Sequence, residues 1–166
     1  AGSTATWSLL ALVSCAKAPI PREDLIRLTG LGSGEALDRA VQPVPRWILR
    51  THDGYVFNHP ALRDFVQKEK LGELERQKWH GRFASWGAQV LDELSHRVRA
   101  AKDVPPYLLD WLSWHLKHAN ALPGAFMRLL TPPWKQAQEL TLQGHQGLLQ
   151  DTERSLHAVR QACHEA

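Results

Sequence analysis

Cysteine is scarce: the 166-residue chain has two, Cys15 and Cys163, near opposite ends and in no CxxC or Cys/His ligand spacing. Two readings remain, a single bridge between the ends or two free thiols in a reducing cytosol, and the second is the simpler. Long apolar runs are missing too; none reaches the roughly 20 residues that a membrane-crossing helix needs. Trp7 to Ala16 has the look of a signal-peptide core, and Leu12-Val13-Ser14-Cys15 of a lipoprotein cleavage box. No basic residue precedes it and Lys17 follows at once, so a buried first helix in a cytoplasmic protein is expected instead. Charge of one sign is also lacking. The 20 Lys and Arg are mixed with 17 Asp and Glu along the chain, for a net +3. That leaves no basic arm for nucleic acid and no patch for a membrane surface.

Catalytic motifs are missing as well. There is no GxxxxGK[ST] phosphate loop, no GxGxxG, no HExxH, and no Ser, Cys or Thr nucleophile in a recognisable setting. Asp92 and Glu93 are neighbours on an expected helix and point apart, so they do not form an acid/base pair. His115 and His118 are spaced to share a helix face and in principle could hold zinc. With Lys117 between them and no third ligand nearby in sequence, surface or capping histidines are the better reading. The expectation is therefore no catalytic residue, no metal and no cofactor in this stretch. The chain opens Ala1-Gly2-Ser3 without methionine, as a piece cut from a longer protein would, and any chemistry is then expected outside it.

What is present is a chain of 43% hydrophobic residues with seven tryptophans that need burial or an interface. Leu9, Leu10, Leu12, Val13 and Ala16 follow a helical period over 7–17, ending before Pro19. Pro21 opens a second helix over 22–29, with Leu25, Ile26 and Leu28 inward and Gly30 as its stop. Ser33 caps a third helix over 34–42, with Ala36, Leu37, Ala40 and Val41 inward, closed by Pro43 and Pro45. The runs Trp47–Arg50 and Tyr55–Phe57 flank Asp53-Gly54, a strong hairpin signal. Three helices followed by a hairpin is the order of a winged-helix domain.

After the hairpin, Asn58-His59-Pro60 starts a helix with Leu62, Phe65 and Val66 inward. Trp79, Phe83, Trp86 and Val90 share one face of a long helix and read as a core stripe. Asp103 to Pro106 begins another helix, lined by Leu108, Leu109, Leu112 and Leu116 with Trp111 and Trp114. Pro123-Gly124 and Pro132-Pro133 punctuate, and 146–165 reads as a final amphipathic helix. The fold class expected is mainly α: a winged-helix domain over 5–70, then an all-α helical domain over 71–166.

The segment Tyr55-Val56-Phe57-Asn58-His59-Pro60-Ala61-Leu62-Arg63-Asp64-Phe65-Val66 resembles the winged-helix signature of STAND-class signal-transduction ATPases, the NACHT and NB-ARC group. The shared pattern is an aromatic strand, a histidine at the strand-to-helix junction, and an acidic-aromatic-aliphatic run. The C-terminal half is similar to the helical domain of bacterial members. Tyr107-Leu108, Trp114-His115-Leu116, Ala121-Leu122, Arg128 to Thr131 and Trp134 follow its order, and Leu148 to Asp151 the start of its next helix. The resemblance implies a regulatory, non-catalytic module of a nucleotide-dependent switch. ADP or ATP would bind an upstream domain of the same chain, a downstream repeat or sensor region would follow, and the activated parent could oligomerise. It gives His59 a nucleotide-sensing role, approaching the β-phosphate of ADP and holding the inactive state shut. A helix beginning at Pro60 directs N–H groups and partial positive charge toward this corner, which suits an anion; the other reading of a histidine just before a helix is that it caps the helix or fills a crevice. Asn58 and Pro60 depart from the Met-His-Asp form of the plant members, so no role that needs an acid directly after the histidine carries over; Asp64 is expected to support the fold or pair with a nearby base, and Arg63 is left unassigned.

Two other classes fit the same elements. A DNA-binding regulator would read duplex with its third helix. Here that helix offers Glu35 and Asp38 against Arg39, with Gln42 near its end, and the hairpin adds Arg50 and His52 opposed by Asp53, a poor footprint for phosphates. A protein–protein scaffold would expose a tryptophan patch and give His59 no bearing on nucleotide.

Overall fold

The structure, a computed structural model, describes residues 2–141, 149, 151–158 and 160. It is mainly helical, with one two-stranded sheet among the described residues. The chain divides into two compact units, residues 1–79 and 80–166. No helix among the described residues is long and apolar enough to cross a membrane.

Unit 1 is organised around helix α1, Gly2–Cys15. Every residue from 9 to 16 is buried, so this helix is apolar all round and must be enclosed. The enclosure is made by α2 (Arg22–Thr29), α3 (Gly34–Val41), strand β2 (Tyr55–Phe57) of the hairpin it forms with β1 (Ile48–Arg50), α4 (Pro60–Phe65) and a π-helical turn over Val66–Lys70. Leu9, Leu12, Leu25, Leu37 and Ile20 are fully buried there, each stabilising by about 1.5–3 kcal/mol. Thr6 Oγ1 donates to the Ala40 carbonyl at 2.9 Å, and Gln67 donates to the Ser14 carbonyl at 2.6 Å, tying both ends of α1 to its wrapping.

The boundaries follow local signals. Ser33 Oγ accepts from Ala36 N–H at 3.2 Å and starts α3. Gly30, left-handed at φ 73°, ends α2. In the hairpin Ile48 faces Phe57 and Arg50 faces Tyr55. A third extended piece joins it, because Ile20 and Tyr55 exchange backbone hydrogen bonds at 3.0 and 2.9 Å. Gly54 makes that approach possible. Its φ is 140°, and a Cβ there would lie 2.2 Å from the Ile20 carbonyl oxygen. One expectation fails here: Phe65 is 41% exposed, with Lys70 Nζ 5.1 Å from its ring centroid. On so short a helix Val66 takes the inward position, and its neighbour Phe65 lies about 100° round the axis.

In unit 2 the apolar stripes behave as their spacing indicates. Helix α5 (Glu73–Ser95) supplies Phe83, Trp86, Val90 and Leu94, and α6 (Pro106–His118) supplies Leu108, Leu109, Leu112 and Leu116, all buried. The two helices approach so closely that a Cβ on Gly87 would lie 2.2 Å from Leu112 Cδ1. Prolines open α6, α7 (Pro123–Met127) and α8 (Pro132–Glu139), where the missing N–H costs nothing. Residues 149, 151–158 and 160 are helical, and the remainder of the expected final helix, Cys163 included, lies outside the described residues.

Candidate functional site

His59 sits between β2 and α4, exposed and in extended backbone at φ −140°. Its Nδ1 accepts from Ala61 N–H at 3.1 Å, so the ring caps the helix, and the hydrogen of the neutral imidazole lies on Nε2. This changes the electrostatic expectation for the corner. Pro60 has no N–H, Ala61 donates to the His59 ring, and Leu62 and Arg63 donate to the His59 carbonyl. The start of α4 therefore presents no unused backbone donor; the donor facing outward is His59 Nε2. Asn58 is held through its own N–H to the Trp47 carbonyl at 2.7 Å and its side chain to the Arg46 carbonyl at 3.3 Å. Asp64 pairs with Arg63 at 3.4 Å and Lys68 at 4.0 Å, a supporting role within this turn.

The histidines of α6 separate. His118 is exposed, with Nδ1 2.9 Å from the Trp114 carbonyl in the preceding turn. His115 is fully buried, which corrects its reading as a surface or capping residue. It lies seven residues after Leu108, on the inward stripe, so the helix itself carries it into the core. There it stacks on Phe83 with centroids 3.9 Å apart, its Nε2 is 2.8 Å from Tyr107 Oη, and its Nδ1 is 2.9 Å from His80 Nδ1. His80 is 3% exposed. Sequence reasoning missed His80 and Tyr107; their place one turn from Phe83 and two turns from His115 was the available signal. Among the described residues no group of three or more His, Cys, Asp or Glu is arranged to hold a metal.

A second buried polar cluster surrounds Asp151. Its Oδ2 accepts from Trp134 Nε1 at 3.0 Å and from Gln138 Nε2 at 2.7 Å, one turn apart on α8. Burial pushes the carboxyl above the ordinary carboxylate range, opposed by hydrogen bonds from Ser113, Trp134 and Gln138 and by the charge of Arg154. Arg154 donates to Ser113 Oγ at 2.6 Å. Asp92 and Glu93 point apart, the first to Arg128 and the second to Arg99. Cys15 is a free thiol, fully buried and pushed up to about 11 by burial, which makes it a poor nucleophile.

Comparison with protein-family models, with curated proteins and with solved structures finds no match to this chain.

Proposed function

We propose that the chain is a regulatory, non-catalytic module of a nucleotide-dependent signalling ATPase, in which unit 1 acts as a winged-helix domain and unit 2 as the helical domain leading to a sensor or repeat region. The observation that carries this reading is the state of His59. Its Nδ1 is occupied by the helix cap, so Nε2–H is an outward donor at a strand-to-helix junction. A neutral imidazole N–H suits one phosphate oxygen, and it supplies a contact that exists in one nucleotide state and not in the other. Such a charge-assisted bond contributes about 1.5–3 kcal/mol, enough to bias a switch though not to set it alone. The order helix, extended piece, two helices and hairpin supports the winged-helix assignment. In this account ADP or ATP binds an upstream domain, and the module's partners are domains of its own chain.

The electrostatics of α3 favour this over duplex reading. Asp38 is held by Arg22, whose guanidinium is thereby engaged, and Glu35 stays exposed. The test uses the intact parent protein as wild type and His59→Ala, denatured to quantify the released nucleotide. ADP retained by the wild type and exchanged at least tenfold faster in the variant is expected. Absence of nucleotide from both would sink the reading. Salt-sensitive duplex binding would then favour the DNA-reading alternative.

A further inference from the structure

The Tyr107–His115–His80 chain goes beyond that reading, since a switch contact at His59 makes no use of it. It lies in the core of unit 2 between α5 and α6, where an imidazole carrying a charge is costly. Tyr107 and His118, both from α6, are titratable side chains that lie against the pair, and Phe83 of α5 and Trp114 of α6 pack on it. Proton counting is then restrictive. With Tyr107 O–H donating to His115 Nε2, His115 carries its hydrogen on Nδ1 and donates to His80 Nδ1, which leaves the hydrogen of His80 on Nε2. One added proton is accepted at His115 Nε2 only if Tyr107 turns from donor to acceptor. A second would place hydrogens on both Nδ1 atoms, and a 2.9 Å contact holds one.

We propose that this chain is an acid-sensitive lock joining α5 to α6: the neutral pair closes it, and protonation of both rings opens unit 2. Unfolded, both histidines take up protons near the ordinary value of about 6.5. The folded contact excludes at least one of them. Fewer protons bound in the folded state means that stability falls as pH falls, by about tenfold in the folded-to-unfolded ratio per pH unit for each excluded proton.

The experiment follows urea unfolding of the full 166-residue chain between pH 7.5 and 5, as wild type and as the double variant His80→Asn/His115→Phe. The wild type is expected to lose at least tenfold more of its folding equilibrium over this range than the variant, because His115→Phe keeps the stack on Phe83 while removing the shared proton. An independent readout on the wild type alone guards against a variant that fails to fold. Long-range proton–nitrogen spectra of the imidazoles should show His80 and His115 sharing one proton and taking up a second only as unit 2 opens. Equal pH dependence in wild type and variant, or two buried rings that both become protonated while unit 2 stays closed, would overturn the proposal.

Discussion

The two units bury polar groups in opposite ways. In unit 1 the main ionic anchor lies at the surface: Arg22 forks onto both oxygens of Asp38 at 2.7 and 2.8 Å and reaches Tyr55 Oη and the Gly34 carbonyl, each at 2.9 Å. That joins α2, α3 and β2, and the polar side chains buried in unit 1, Thr6, Ser14 and Thr29, are neutral hydroxyls that donate to backbone carbonyls. Unit 2 instead encloses His80, His115, Ser113, Gln138 and Asp151, each at most 3% exposed. An exposed pair contributes little and fails gently. A buried network fails abruptly when one member is removed, because the partner is left without solvent.

The largest effect expected is in unit 1 and comes from backbone rather than charge. Gly54→Ala would force a side chain into the Ile20 carbonyl at a φ of 140°. A strained residue costs about 1–3 kcal/mol and the two lost bonds to Ile20 about 1 kcal/mol each, so a loss of about 3–5 kcal/mol is expected. Urea denaturation with amide exchange resolved to unit 1 measures it. Retained protection at Ile20 and Tyr55 would show that this contact is not what closes the unit.

Next comes the buried carboxylate of unit 2. Asp151→Ala strands Trp134 Nε1 and Gln138 Nε2 and should cost about 2–4 kcal/mol. Asp151→Asn keeps an acceptor for both and should stay within about 1 kcal/mol of wild type at pH 7. The pH dependence separates the two effects. A carboxyl raised by burial contributes fully below the ordinary carboxylate value near 3.9, and that contribution is lost as pH rises through the higher folded value. The difference between wild type and Asp151→Asn should therefore shift in favour of the variant between pH 4 and 7. A constant difference would show that Asp151 titrates alike folded and unfolded.

The smallest effect belongs to Asp38. Its bond to Arg22 holds the carboxyl below the ordinary range, so this contribution is present above that range and lost as pH falls through the lowered value. Asp38→Asn should flatten only the acid limb below about pH 4, and added salt should shrink even that. Equal effects from Asp38→Asn and Asp151→Ala at pH 7 would erase the contrast between the units.

Much of this architecture was legible in one dimension. The apolar run of the first helix, the Ser33 cap, the Gly30 stop, the Asp53-Gly54 turn and the stripe from Trp79 to Val90 each rest on interactions within a few residues and recur in the structure, although that first helix spans Gly2–Cys15 rather than 7–17. The place of His59 before a proline-led helix was legible too, and of its two readings from sequence the ring's cap on Ala61 N–H is the one seen in the structure. Phe65 was misplaced because a six-residue helix leaves the choice of inward residue to what packs against it.

The periodicities of α1, α5 and α6 set by local sequence say which faces are apolar, since a side chain's direction follows from its position along a helix. They do not say which faces meet. Gly87 against Leu112, Gln138 beside Asp151, and His80 opposite His115 are pairs separated by 13 to 35 residues, brought together by the packing of whole helices. Burial then gives those pairs their chemistry. An imidazole or a carboxylate acquires a shared proton or a raised affinity for one only when its neighbours have displaced water, and no local pattern encodes who those neighbours are.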